Sequence, residues 1–201
     1  MKMKKILLLT SLVLCLSAYA SAQTATVEVP KSLPEEVTGS ELRDLSGRAF
    51  RLKDFRGRVY VVNLWATWCG PCRLEIPGFN KIYEDYRARG VEFVGLTAED
   101  PDERSEQVGQ FVGEFGMSYR VGWVDRETVL KLATWNAPQP TRPGYFTIPQ
   151  TFVVGTDGHV VLRVRGYNPR VADMIRAGVR KALELSPPQS TTQPGAAAGR
   201  P

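Results

Sequence analysis

Two cysteines three positions apart, Cys69 and Cys72, are the residues whose spacing most clearly allows chemistry. They lie between an apolar run and a helix-like pattern that starts at Pro71, which predicts a strand-to-helix corner. Cys69 would then lie at or next to the helix N-cap, where unpaired backbone N–H groups and the helix dipole favour a thiolate. Cys72 would lie one turn further on the same face, close enough to form a disulfide. The spacing therefore suits two-electron thiol–disulfide exchange.

A cysteine pair of this spacing can also be half of a zinc site, which needs three or four protein ligands. The other candidate ligands are Cys15, which lies in a predicted leader, and the single histidine, His159, which follows Asp157-Gly158 in a predicted hairpin turn. We therefore expect no metal. A purely structural disulfide is the second alternative, but a bridge across two residues closes too short a loop to stabilise the chain much.

The elements on either side of the cysteines must position them. The apolar run Val59–Ala66 predicts a strand buried on both faces. The helix that follows is expected to kink at Pro77 and to end at Gly90, and a second core strand is predicted over Val91–Leu96. The apolar residues that mark the buried face of the helix by steps of three and four are Ile76, Phe79, Tyr83 and Tyr86.

Further elements are predicted along the rest of the chain. They are a β-hairpin within Val37–Phe55, a helix after the acidic loop 99–102, a strand at Tyr119–Val124, a helix at Arg126–Trp135, a hairpin over Phe152–Arg165, and a last helix capped by Asn168. The segment Ala137–Thr147 contains three prolines and one glycine, which predicts a rigid loop. We expect this loop, and Tyr145 or Phe146 in particular, to border the cysteine pair and to influence substrate choice.

Residues 1–22 have the three-part form of a secretory signal peptide, with lysines, then an apolar run, then small residues. Cleavage after Ala20 or Ala22 fits the A-x-A pattern. An uncleaved anchor that tethers the protein to the membrane is also open, although the run is shorter than the roughly 20 residues that span a bilayer. Lipidation of Cys15 is disfavoured because Leu14 precedes it where lipoproteins have a small residue.

Charge and cysteine count restrict the partners and the compartment. The chain has 26 basic and 21 acidic residues, and removal of a leader with three lysines and no acid leaves 23 and 21, a net charge of +2. This charge excludes the strongly basic surface that nucleic acid requires. A mature chain with only Cys69 and Cys72 suits an extracytoplasmic compartment such as the periplasm or cell envelope. Residues 23–36 are predicted to be a linker and residues 186–201 a disordered tail, which leaves one domain over Val37–Leu185.

Residues 61–77 closely resemble the active-site segment of the thioredoxin superfamily, in particular its extracytoplasmic TlpA/ResA-like branch. The resemblance covers roughly Val37 to Leu185, and residues 147–151 are similar to the cis-proline loop of the family. It implies an α/β, thioredoxin-like fold with a central mixed β-sheet flanked by helices. It also implies that the predicted hairpin is the N-terminal hairpin of this branch, and that Tyr119–Val124 and Arg126–Trp135 form its insertion.

The resemblance extends to the site residues. Cys69 would attack a substrate disulfide and Cys72, which we expect to be shielded while Cys69 is partly exposed, would resolve the mixed disulfide. Glu75 matches a glutamate that the branch carries beneath the cysteines and would exchange a proton with Cys72, because Asn63 stands where thioredoxin has an aspartate. The alternative is a surface glutamate paired with Arg73 or Lys81. The implied substrate-binding residues are Trp68, Gly70, Pro71, Ile148 and Pro149, with a cis bond between the last two.

The leading functional hypothesis is an extracytoplasmic thiol–disulfide oxidoreductase that reduces substrate disulfides without a cofactor. The resemblance implies protein disulfide substrates, with apocytochrome c a frequent one, and an upstream membrane thiol–disulfide reductase as electron donor. One alternative is an exported binding module that holds cysteine-containing peptides in the same groove without turnover. The other is a peroxiredoxin-like peroxidase, whose motif needs Ser or Thr where this chain has Ala66.

Overall fold

The computed structural model describes residues 31–136 and 146–186. In chain order the elements are α1 (Glu35–Thr38), β1 (Leu42–Asp44), β2 (Ala49–Phe50), a 3-10 turn (Leu52–Phe55), β3 (Tyr60–Trp65), α2 (Gly70–Tyr86), a 3-10 turn (Arg87–Arg89), β4 (Glu92–Thr97), α3 (Pro101–Glu114), β5 (Arg120–Trp123), α4 (Arg126–Thr134), β6 (Gln150–Val154), β7 (Val160–Arg165) and α5 (Val171–Glu184). Within these residues no helix is both long and apolar enough to cross a bilayer.

The strands form one seven-stranded mixed sheet in the order β2-β1-β5-β4-β3-β6-β7. Strand β3 pairs parallel with β4 and antiparallel with β6, while β4 pairs parallel with β5. All six residues of β3 are buried, which explains why its sequence is an unbroken apolar run except for Asn63. The predicted α/β fold with a central mixed sheet is confirmed.

Two apolar layers cover the sheet, and β3 contributes alternate residues to each. Val61 and Trp65 belong to the layer under α2, α3 and α5, whereas Val62 and Leu64 belong to the layer under α1 and α4. The side chains that fill the first layer from the helices include Ile76, Phe79, Ile82, Val108, Phe111, Ile175 and Val179. Because both faces of β3 are buried, the position of its last residue, and with it the start of α2, is fixed.

The ends of the domain differ in detail from the sequence interpretation. Strands β1 and β2 do form an antiparallel pair, and β1 also joins the main sheet through β5. Leu33 is buried in the second layer and α1 starts at Glu35, so packing begins before Val37. Helix α5 starts at Val171, and the prediction that Asn168 caps it is wrong, because the Asn168 side chain accepts instead from the Arg170 backbone N–H at 2.9 Å.

Several predictions on organisation stay predictions. The predicted strand and helix after α3 are present as β5 and α4, but their identity as an insertion, and that of β1–β2 as the hairpin of the branch, are not established by their presence. Residues 1–30, 137–145 and 187–201 lie outside the described residues, and with them the leader, most of the linker, Tyr145 and almost all of the tail.

Candidate active site

The two cysteines form a disulfide at the start of α2. Cys69 is the N-cap residue, and its sulfur accepts a hydrogen bond from the Cys72 backbone N–H at 3.2 Å. Pro71 lies in the first turn, where its missing N–H leaves no helical hydrogen bond unmade. The predicted strand-to-helix corner and the N-cap position of Cys69 are confirmed. In the reduced protein the same N–H and the helix dipole would stabilise a Cys69 thiolate.

The corner between β3 and α2 is held by a carboxylate that the sequence analysis did not single out. The Thr67 backbone N–H and hydroxyl donate to Glu99 at 2.9 and 2.6 Å, and the Thr97 hydroxyl donates to the same carboxylate at 2.9 Å. Cys69 adds a backbone hydrogen bond to Ala66 at 3.1 Å. Glu99 was visible in sequence only as one acid in an acidic loop, without a motif to connect it with Thr67.

Exposure differs sharply among the residues of the corner. Trp68 is 70% exposed, whereas Cys69 is 4% exposed and Cys72 is fully buried. The prediction that Cys69 is partly exposed is therefore wrong for the disulfide form, because both cysteines belong to the apolar layer under α2. The predicted order, with Cys72 the better shielded of the two, agrees with these values.

This difference leads to a labelling prediction. In the reduced protein prepared from residue 23 onward, near neutral pH, brief alkylation should modify Cys69 roughly tenfold faster than Cys72, because Cys69 is at the helix N-cap and closer to the surface. Peptide mass spectrometry measures the two rates separately. Equal labelling of both thiols would count heavily against Cys69 as the attacking residue.

Glu75 lies on the buried side of α2 and is only 2% exposed. Its Oε1 accepts a hydrogen bond from the Asn63 amide at 2.8 Å, and the same amide donates to the Thr151 hydroxyl at 3.0 Å. Burial raises the pKa of the Glu75 carboxyl from 4.5 to about 8, although the Asn63 hydrogen bond opposes the shift. The alternative of a solvated surface glutamate is therefore wrong.

The second carboxyl oxygen of Glu75 makes no hydrogen bond to any described residue. Arg73 and Lys81, its proposed surface partners, are engaged elsewhere. The Arg73 guanidinium lies 5.1 Å from the centre of the Phe111 ring, and Lys81 pairs with Asp85 at 3.5 Å. An unpartnered oxygen on a carboxyl that keeps its proton near neutral pH is a group that can give and take that proton.

The Ile148–Pro149 peptide bond is cis, as predicted. Antiparallel pairing places Gln150 opposite Leu64, so that the two preceding residues lie beside the end of β3, next to the cysteine corner. Ile148 is half-buried and packs against the apolar layer that contains both cysteines. Its backbone N–H and carbonyl make no hydrogen bond to other described residues.

A cavity of about 190 Å³ lies between Trp68, Phe146 and Ile148. The other residues that line it are Leu64, Trp65, Ala66, Leu96, Ala98, Glu99, Arg126 and Val129. Phe146, near the end of the predicted loop Ala137–Thr147, thus lines the same cavity as Trp68, while the role of the loop stays a prediction.

A larger cavity of about 560 Å³ lies between β7 and α5, and no residue of the β3–α2 corner lines it. Nowhere in residues 31–136 and 146–186 do three or more His, Cys, Asp or Glu side chains group as a metal site would require.

A disulfide at a helix N-cap, beside a cis-proline corner on a mixed sheet, defines a thioredoxin-like thiol–disulfide oxidoreductase. The family model described as Redoxin matches residues 20–177, and the chain belongs to that family. Among its relatives, the thiol-disulfide oxidoreductase ResA of Geobacillus thermodenitrificans (strain NG80-2) is 30% identical over 183 residues, which cover 91% of this chain and 92% of the relative. ResA of Bacillus thuringiensis subsp. konkukian (strain 97-27) is 30% identical over 141 residues, or 70% and 74% of the two chains.

A solved structure, the thiol:disulfide interchange protein of the thioredoxin family from Chlorobium tepidum TLS, is similar in fold. It superposes with a TM-score of 0.61 at 26% identity and covers 77% of this chain and 97% of its own. The predicted membership of the TlpA/ResA-like branch of the thioredoxin superfamily is confirmed by these comparisons. So is the predicted oxidoreductase activity.

Proposed function

We propose that this oxidoreductase works outside the cytoplasm and reduces disulfides of protein substrates through Cys69 and Cys72. The observation that carries the proposal is the position of the disulfide at the N-cap of α2, within one apolar layer with Ile148 and directly after the exposed Trp68. This arrangement offers an attacking thiolate, a resolving thiol one turn away and a surface for the substrate chain.

In the reaction the reduced Cys69 thiolate attacks one sulfur of the substrate disulfide, and the other substrate sulfur leaves as a thiolate and takes up a proton. Cys72 then loses its proton and attacks the Cys69 sulfur of the mixed disulfide. The second substrate thiol is released, and two electrons have passed from the enzyme to the substrate. The Cys69–Cys72 disulfide of the structure is the oxidised product of this half-reaction.

Glu75 is the proposed proton acceptor for Cys72, acting in the molecules in which its carboxyl is ionised. The pKa of its carboxyl, raised to about 8 by burial, is close to the usual cysteine pKa of about 8.5, so a proton can pass in either direction at small energetic cost. An ordinary glutamate would be too weak a base for this exchange. Asn63 keeps Oε1 occupied and leaves Oε2 as the reacting oxygen.

The proposed substrate groove follows the backbone N–H and carbonyl of Ile148, which make no hydrogen bond within the described part of the chain and would bond an extended segment as a strand edge does. In this proposal the exposed Trp68, Gly70 and Pro71 form the other side of the groove, and the buried Pro149 forms its base. The cavity between Trp68 and Ile148 would take an apolar side chain of the bound segment.

The finer assignments rest on the sequence. The leader-like residues 1–22 support an extracytoplasmic location, and an uncleaved leader would tether the protein to the membrane. The resemblance to TlpA/ResA-like proteins supports apocytochrome c among the substrates and a membrane thiol–disulfide reductase as the electron donor. Ala66 speaks against a peroxidase, because its buried methyl group stands where that motif needs a hydroxyl.

Reduction of insulin by dithiothreitol tests the proposal. The wild-type chain from residue 23 onward should accelerate precipitation of the insulin B chain, whereas Cys69→Ser should leave the rate at the level of dithiothreitol alone. Both proteins must show the same far-UV spectrum. A wild-type protein no faster than the Cys69→Ser control would favour the binding-module alternative.

A further inference from the structure

The cis-proline corner is connected to the end of α4 by one buried side chain. Gln150, the first residue of β6, is only 1% exposed. Its Nε2 donates to the Thr147 carbonyl at 2.7 Å and to the Ala133 carbonyl at 3.3 Å. One amide therefore connects Thr147, the residue before Ile148, with the last turn of α4, which packs on the face of the sheet opposite α2.

A guanidinium fixes the orientation of this amide. Arg163, on the neighbouring strand β7, donates to Gln150 Oε1 at 2.7 Å and to the Ala133 carbonyl at 2.7 Å, and it also donates to the Trp135 carbonyl. Because Gln150 Oε1 faces the guanidinium, its NH₂ group must face the two carbonyls. Burial lowers the pKa of Arg163 to about 10, with the charge of Arg165 adding to the shift, so Arg163 remains charged at neutral pH.

Arginine side chains also bind the backbone carbonyls at the end of α4. Besides Arg163, Arg165 donates to the Ala133 carbonyl, at 3.2 Å. The last carbonyls of a helix carry partial negative charge and lack partners within the helix, so they attract cations. The end of α4 is therefore fixed to β6 and β7 and forms a firm support for the Gln150 amide.

We propose that Gln150 and Arg163 are positioning residues: they set the position and orientation of the Thr147–Ile148 backbone beside Cys69, and thereby the affinity for extended peptide substrates. The inference rests on the proposed use of Ile148 as a substrate-binding residue. Among the described residues, the cis-proline corner has one backbone hydrogen bond outside the strand ladders, from the Gly166 N–H to the Pro149 carbonyl at 2.8 Å. This bond holds the chain after Ile148, not before it. Gln150 holds the chain immediately before Ile148 through its hydrogen bond to the Thr147 carbonyl.

The test uses Cys72→Ser as the background, so that the reaction stops at the mixed disulfide and needs no turnover. The probe is an extended peptide whose single cysteine is joined to thionitrobenzoate, and release of the coloured thiolate reports attack by Cys69. In Gln150→Glu, which keeps the acceptor for Arg163 but lacks both donors, the peptide concentration for half-maximal rate should rise roughly tenfold. The maximal rate should stay within about twofold. Arg163→Lys should change the same quantity in the same direction.

Two comparisons separate positioning from simple destabilisation. The corresponding small aromatic disulfide, which has no peptide part, should react with all variants at the same rate. Val179→Ala, which truncates a fully buried residue of α5, should lower thermal stability without changing the peptide dependence. An equal effect on peptide and small disulfide, no effect on either, or failure of both Gln150→Glu and Arg163→Lys to fold would overturn the proposal. The insulin test of the proposed function is independent of this outcome.

Discussion

Replacement of Cys72 by serine is expected to lower turnover with protein disulfides by at least about a hundredfold while leaving the first attack intact. The backbone N–H of residue 72, which bonds the Cys69 sulfur, is unchanged by the substitution. Cys69 therefore keeps its N-cap environment and still attacks, but no thiol is present to resolve the mixed disulfide. The protein should accumulate as a covalent adduct with the substrate, visible by non-reducing electrophoresis and intact mass.

The reciprocal variant is the control. Cys69→Ser, prepared from residue 23 onward so that Cys15 is absent, keeps only the fully buried thiol and should form no adduct in the same assay. Efficient trapping by Cys69→Ser, or turnover by Cys72→Ser at the wild-type rate, would reverse or abolish the assignment of the two cysteines.

Glu75→Gln is expected to stabilise the oxidised protein at alkaline pH. Burial raises the pKa of the carboxyl from 4.5 to about 8, so between these values the unfolded chain has released a proton that the folded chain still holds. Stability therefore falls as pH rises through this window, and the loss is complete above the folded pKa. At about 1.4 kcal/mol per pKa unit, the loss is about 5 kcal/mol, and glutamine does not incur it.

Urea unfolding at several pH values measures this difference. Near pH 4 the acid is mostly protonated in both states and the amide is neutral, so wild type and Glu75→Gln should have similar free energies of unfolding, and the curves should diverge up to about pH 9. Glu103→Gln, at an exposed position of α3, is the matched control and should follow wild type. Parallel curves for Glu75→Gln and wild type would contradict the raised pKa.

The same variant tests the proton route. If Glu75 accepts the Cys72 proton, Glu75→Gln should slow turnover and move its pH dependence toward alkaline values, where the thiol ionises unaided. Turnover like wild type from mildly acidic to alkaline pH would leave Glu75 without a catalytic role and assign the proton to another carrier, such as water.

The local part of the site could be predicted from sequence because its determinants are close together in the chain. The Cys69–Cys72 spacing, the apolar run before it and the Ile148–Pro149 motif each contain their own signal, and all three have the predicted conformation. The exposure of Cys69 was overestimated, since the surroundings of an N-cap depend on what packs over it.

The supporting network could not be predicted, because its partners are distant in sequence and ordinary in type. Glu99 reaches Thr67 across 32 positions, and Arg163 reaches the Ala133 carbonyl across 30. No periodicity connects such residues. The parallel register of β3 with β4 brings Glu99 to Thr67, whereas the register of β6 with β7 and the end of α4 bring Arg163 to Ala133. The prediction that Asn168 caps the last helix was wrong for a local reason. An asparagine side chain can accept a hydrogen bond from the backbone N–H two residues on, in a turn, as well as at a helix start.

The burial of β3 restricts where the backbone can move when the Cys69–Cys72 disulfide opens and closes. Every residue of this strand is enclosed, whereas Gly70 and Pro71 at the start of α2 face solvent, and a side chain added at Gly70 would meet no neighbour within 4 Å. Separation of the two sulfurs therefore meets a filled layer on the sheet side and open solvent on the outer side of the first turn. We expect the change between the two redox forms to be confined to the helix start, while the sheet beneath it and the proposed groove beside β6 keep their shape.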